Sequence, residues 1–108
     1  ANTSTGVSGQ LPIPTSLRLY DNYPNPFNPS TTIKYSINVK ADVTLHVYNL
    51  LGQVVSVMEK NNVPAGFNEF KFNAGGLASG VYFYQLEVKN HAKSDVLNST
   101  VKKMVLLK

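Results

Sequence analysis

From Leu17 onward apolar side chains recur at every second position in short runs, and no stretch carries the three-to-four-residue period of a helix. Leu17 and Leu19 alternate with Arg18 and Tyr20, then Ile33, Tyr35 and Ile37 alternate with Lys34 and Ser36. Val43, Leu45 and Val47 face one way while Thr44, His46 and Tyr48 face the other. A fourth run covers Val54 to Met58, a fifth carries Phe70 and Phe72, and a sixth runs from Gly80 to Lys89, with Tyr82, Tyr84, Leu86 and Val88 on one face. The sixth is also apolar on its other face near its start, at Val81 and Phe83, as a central strand would be. A last run spans Ser99 to Leu107. Between them lie turn clusters: Lys40-Ala41-Asp42, Asn49 to Gln53 with Gly52 free to take a positive φ, Asn61 to Gly66, Ala74-Gly75-Gly76, and a polar stretch from Asn90 to Asn98 read as a long hairpin loop. Short strands at this spacing predict an all-β fold, a seven-stranded immunoglobulin-like antiparallel β-sandwich.

A detail near Gly80 supports that fold. Leu77, Gly80 and Tyr82 reproduce the layout of a tyrosine corner, in which a phenol at the start of a strand bonds back to upstream backbone. At 108 residues the chain holds one domain at most. Residues 1–16, rich in Asn, Thr, Ser and Gly and ending in Pro12 and Pro14, read as a flexible linker from a missing N-terminal parent protein, with residues 17–108 as the folded domain.

Composition removes several function classes. With no cysteine there is no disulfide, thiolate metal site or cysteine nucleophile, and export is not excluded by that. No segment is long and apolar enough to cross a membrane as a helix, and Ala1 to Gln10 lack the charged and apolar regions of a signal peptide, so any export signal belongs on a longer parent chain. The net charge of +4 comes from dispersed lysines and the single Arg18, which argues against nucleic-acid binding. The two histidines, His46 and His91, have no acidic partner at sequence level, and the six carboxylates stand singly, so no catalytic residues are assigned and the chain is read as not an enzyme.

Two segments resist a purely architectural reading. In Tyr23-Pro24-Asn25-Pro26-Phe27-Asn28-Pro29 the prolines fix φ and remove donors, predicting a rigid ribbon that crosses between the sheets with Tyr23 and Phe27 as buried anchors. The same region offers oxygens to a calcium ion from Asp21, Asn22, Asn25 and Asn28, or a sugar platform from Tyr20, Tyr23 and Phe27; neither cofactor nor metal is assigned on this basis. The other segment is the tail, Lys102-Lys103-Met104-Val105-Leu106-Leu107-Lys108. Met104 and Leu106 fall on one face and Val105 and Leu107 on the opposite one, so an apolar row remains outside on a terminal strand, a site for strand addition by a partner. Lysines also keep such an edge soluble, so an ordinary edge strand remains the competing reading. A Lys–Asn isopeptide bond is conceivable, and its formation would remove about 17 Da as ammonia.

Taken in order, these segments resemble the C-terminal sorting domains of the type IX secretion system of Bacteroidetes, specifically their type A class, over about residues 17 to 108. The likeness rests on Tyr23 to Ile33, on Val47-Tyr48-Asn49-Leu50-Leu51-Gly52-Gln53-Val54-Val55, on Leu77 to Tyr84, and on the closing Lys102 to Lys108. It implies a module at the end of an exported protein, carried into the periplasm by a distant signal peptide and recognised by outer-membrane secretion components, reaching the cell surface or medium. It further implies an N-terminal cargo domain and a sortase-like processing protease cutting in the preceding linker, here residues 1–16, with the cargo in some cases joined to surface lipopolysaccharide. The positions matching the terminal motif, Lys102, Lys103, Met104, Val105, Leu106, Leu107 and Lys108, are the expected recognition residues. Tyr23, Pro24, Asn25, Pro26, Phe27, Gly52, Gly80 and Tyr82 match motif positions with architectural roles. The competing readings are a non-catalytic adhesive or carbohydrate-binding module of a secreted enzyme, and a purely structural spacer.

Overall fold

The computed structural model describes residues 17–90, 92 and 96–108; the expected linker at 1–16 and His91 lie outside them. Among the described residues seven strands form: β1 (Arg18–Leu19), β2 (Ser30–Ile37), β3 (Ala41–Tyr48), β4 (Val54–Val63), β5 (Gly66–Asn73), β6 (Gly80–Asn90) and β7 (Val96–Leu106). They pair antiparallel in two sheets, β1-β2-β5 and β4-β3-β6-β7, which makes the all-β, immunoglobulin-like sandwich that the spacing of runs implies. The period of two is what builds it. Ile33, Tyr35, Ile37, Phe70 and Phe72 point inward from the smaller sheet, and Val43, Leu45, Val47, Tyr84, Leu86, Val88, Met104 and Leu106 meet them from the larger. Tyr35 stacks on Phe70 with centroids 5.4 Å apart, and Phe27 meets Phe72 edge to face at 6.2 Å.

The tyrosine corner is present: Tyr82 Oη donates to the Ala78 carbonyl at 2.7 Å. Two residues on, where antibody domains place a disulfide cysteine, stands Tyr84. Its hydroxyl donates to the Tyr20 carbonyl at 2.9 Å and accepts from the Asn22 N–H at 3.0 Å. A phenol thus joins the two sheets in a chain that has no cysteine. Lys60 ties them at another point, lying 4.9 Å over the Phe70 ring while its ammonium donates to Asn68 Oδ1 at 3.3 Å and to the Glu69 carbonyl. All three contacts use Lys60 as a cationic tether between β4 and β5, so an intact mass without loss of ammonia is expected for this Lys–Asn pair.

Four expectations are corrected. Ala41 and Asp42 are not a turn but open β3, paired with Asn90 and Lys89. β4 does not end at Met58 but runs through Asn61 and Asn62 to Val63, because a bulge opposite Ala41–Val43 absorbs the pair. There Asn62 takes φ 62°, and its N–H is received by Asp42 Oδ1 at 2.7 Å. The long loop expected from Asn90 to Asn98 is shorter, since β7 starts at Val96 and pairs Lys89 with Val96 and Val88 with Asn98 across a second bulge; ladder bonds use backbone groups and tolerate polar side chains. Tyr23 is not a buried anchor: it stands 81% exposed on an isolated bridge to Thr32, and Asn22, 3% exposed, occupies the interior in its place.

Two buried phenols allow a matched test. Tyr84→Phe strands the Asn22 N–H and the Tyr20 carbonyl and is expected to cost about 1–3 kcal/mol in urea unfolding. Tyr35 Oη has no hydrogen-bond partner among the described residues, so Tyr35→Phe is expected to be neutral or stabilising. Burial pushes both phenols up from the ordinary 10.0 to about 12. Between those values the unfolded chain releases protons that the folded one retains, so the two phenols' contribution to stability is constant below about pH 10 and falls from there toward pH 12. Urea midpoints across that range should show the decline, less steeply in Tyr35→Phe.

Candidate functional site

The ribbon Tyr23–Pro29 and the tail form one structure. All three of the ribbon's X–Pro bonds are cis. It begins on the smaller sheet, where Tyr23 exchanges backbone hydrogen bonds with Thr32, and ends on the larger, where Phe27 bridges Leu106 in parallel. The Phe27 N–H donates to the Val105 carbonyl at 2.9 Å, and the Leu107 N–H donates to the Phe27 carbonyl at 3.0 Å. Asn25 Oδ1 takes the Val105 N–H at 3.0 Å. The outward backbone groups of Val105 and the N–H of Leu107, just past β7, are therefore consumed, while Met104 and Leu106 pair with β6. Crossing between the sheets, as expected of the ribbon, places a strap along the last part of the edge strand.

The tail residues divide by direction. Met104 and Leu106 are fully buried, opposite Tyr82 and Gly80. Lys102 Nζ pairs with the Asp21 carboxylate at 3.0 Å, an exposed bridge of small energetic weight. Lys103 is exposed opposite Phe83, Val105 is half-buried opposite Val81, and Leu107 is 54% exposed. The Lys108 N–H donates to Ser79 Oγ at 2.9 Å and its Nζ to the Gly75 carbonyl at 2.8 Å, so the last residue lies against the β5–β6 connection. What the tail offers outward is a face, made of Lys103, Val105 and Leu107. The expected strand addition finds its edge at 105–107 already occupied by the chain's own ribbon.

The other matched positions have structural work. Pro24 supplies a carbonyl to Thr31 Oγ1 at 2.9 Å and to Asn22 Nδ2 at 3.1 Å. Gly52 has φ 83°, the left-handed conformation that its turn requires. Phe27 is buried, which removes it from the sugar platform that Tyr20 and Tyr23 would have shared with it. The loop oxygens do not converge as a calcium site needs: Asp21 is on Lys102, Asn25 is on Val105, and Asn22 donates its amide to Thr31 Oγ1 at 3.0 Å.

Sequence reasoning missed the exposure of Leu50 and Leu51, 69% and 83% accessible at the tip of the β3–β4 hairpin. The signal was legible in part, since two leucines inside a turn cluster have no strand face to occupy.

This geometry defines a class before it defines a family: a cysteine-free immunoglobulin-like sandwich whose final strand is strapped at its edge and apolar on its outer face. The chain belongs to the family described as secretion system C-terminal sorting domain, whose model matches residues 21–106; these are the sorting signals of type IX secretion, and the family is not catalytic. No curated protein matches the chain. Among solved structures it is similar to the dimeric latent PorU of Porphyromonas gingivalis, at TM-score 0.60 and 21% identity, covering 97% of this chain and 10% of that one. It is also similar to a β-glucuronidase of Parabacteroides merdae, at TM-score 0.54 and 20% identity, covering 85% of this chain and 13% of the enzyme. The same enzyme with glycerol in its active site gives 0.55 and 19% identity. At these identities the likeness is one of fold, and the chain spans a small part of each neighbour.

The strap is directly testable. Asn25→Ala should release the Val105 N–H, raising its hydrogen exchange several-fold, while the Leu107 N–H, held by the Phe27 carbonyl, keeps its protection. Phe27→Ala removes a buried ring and should cost about 3–5 kcal/mol in urea unfolding.

Proposed function

We propose that this domain is read by outer-membrane components of the type IX machinery, which carry its N-terminal cargo from the periplasm across the outer membrane to the cell surface or medium. In this reading residues 1–16 are the linker in which a sortase-like protease separates the cargo. Family membership supports a sorting signal. The observation that carries the finer reading is the division of the tail: Met104 and Leu106 are spent on the core, while Lys103, Val105 and Leu107 form an outward row that the fold does not need. Exposed apolar side chains on a well-paired strand add nothing to folding and suit a partner.

The same division decides the experiment. Deleting residues 102 to 108 would take away two core side chains, at about 2–5 kcal/mol each, and would confuse unfolding with lost recognition. Lys103→Glu with Leu107→Ser changes the outward face alone. A fluorescent reporter with a signal peptide in front and the full chain behind would be expressed in a bacterium with a working type IX system. The double substitution should lower surface and medium delivery at least tenfold while the urea midpoint stays within error. Wild-type delivery would remove recognition from the outward tail. Periplasmic retention of the unsubstituted chain, in a strain that delivers a proven sorting domain, would sink the sorting reading.

A further inference from the structure

Among the described residues, most of the large apolar side chains that stand exposed belong to the four-stranded sheet, its hairpin and the tail: Leu50, Leu51, Val54, Val57, Val96, Val101 and Leu107, against Tyr23 and Phe67 elsewhere. Four of them gather at one end. β3 ends at Tyr48, which pairs with Val54 on one side and Phe83 on the other, and Phe83 pairs with Lys103. Val54, Tyr48, Phe83 and Lys103 therefore make a single cross-strand row, about 14 Å wide at the usual strand spacing. Past this row, at the same end, lie the Leu50–Leu51 tip, and Leu107 with Lys108.

The tip is held rather than loose. Asn49 Oδ1 accepts from the Leu51 N–H at 3.0 Å and from the Gln53 N–H at 2.9 Å, and Asn49 Nδ2 donates to Gln53 Oε1 at 2.7 Å. The Gly52 N–H closes on the Asn49 carbonyl at 3.0 Å. Five residues are thus organised to show two leucines to solvent, where a polar pair would serve the turn equally well. An ordered apolar tip loses little conformational freedom on binding.

Charge and chain direction narrow the occupant. Lys103 and Lys108 flank the apolar row, and the nearby Asp21 carboxylate is already taken by Lys102. Arg18 pairs with Ser36, and the chain then runs through Tyr23 to Phe27 beside Leu106, so residue 17 leaves the domain at the end opposite the row. The described part of the domain therefore begins at the far end from this surface.

We infer that the partner reading the terminal strand docks on a composite surface, the Leu50–Leu51 tip together with the Val54–Tyr48–Phe83–Lys103 row and Leu107, through an apolar protein surface bordered by carboxylates. The inference rests on the sorting reading above. The same reporter carrying the full chain tests it with Leu50→Ser/Leu51→Ser, which leaves the tail untouched, and with Phe67→Ser, an exposed control at the opposite end. Delivery should fall at least tenfold in the first and stay at wild-type level in the second, with urea midpoints unchanged. If the double substitution lowers the midpoint, Leu51→Lys at the 83% exposed position supplies the answer instead. Normal delivery by the leucine variants beside lost delivery in Lys103→Glu/Leu107→Ser would overturn the composite surface and leave the sorting reading standing. Normal delivery by all of them would overturn the composite surface and the outward tail together, while periplasmic retention of the unsubstituted chain is the result that would overturn the sorting reading. An equal loss in Phe67→Ser would assign the effect to surface polarity at large and reject the site.

Discussion

Two backbone hydrogen bonds, from the Phe27 N–H to the Val105 carbonyl and from the Leu107 N–H to the Phe27 carbonyl, close the sandwich at the end where β7 finishes. Much else follows from that closure. An edge strand with unpaired donors and acceptors invites pairing with any other chain, and here the ribbon removes that invitation over the segment richest in apolar residues. The same two bonds drop the Phe27 ring into the core against Phe72. Upstream, the Tyr84 hydroxyl holds Tyr20 and Asn22 against the larger sheet. The segment that joins β1 to β2 is therefore pinned at both ends by residues of β6 and β7, and the smaller sheet cannot separate from the larger without breaking these bonds.

What was legible in the sequence is what repeats locally. The inward row Ile33, Tyr35, Ile37 and its counterpart Val43, Leu45, Val47 are visible because period two is a direct imprint of a half-buried strand, and all six are fully buried. The Tyr82–Ala78 bond was legible because its partners stand four residues apart. The Tyr84 hydroxyl was not, since its partners lie 62 and 64 positions away, and neither was the Lys102–Asp21 bridge across 81. Only the fold brings such groups together. Tyr23 was misplaced for a related reason: in an irregular ribbon no alternation says which face a ring takes, and aromaticity alone favoured the core.

The tail shows how far a sequence pattern reaches into a site. Alternation correctly sent Met104 and Leu106 inward and Leu107 outward. It could not show that Asn25 and Phe27 would occupy the edge, so it left strand addition as the natural mode of reading at a place where the backbone has little left to offer. Available backbone argues for an edge, and available side chains argue for a face. At residues 105–107 only the second is present.

A face read in this way has a consequence for what a secretion partner can sense. Lys103 and Leu107 project outward from the same strand that buries Met104 and Leu106, each of the latter contributing on the order of 1.5–3 kcal/mol on burial. The outward row exists as a row only while its neighbours are docked, and the Val54–Tyr48–Phe83–Lys103 alignment exists only while four strands are in register. On the proposed reading, a partner binding this surface discriminates a folded domain from an unfolded one without any separate device, because the unfolded chain has the same residues and none of their juxtaposition. A linear reader of the last seven residues would bind both states alike. The difference between the two is a matter of geometry, since the chemistry of the tail is identical in each.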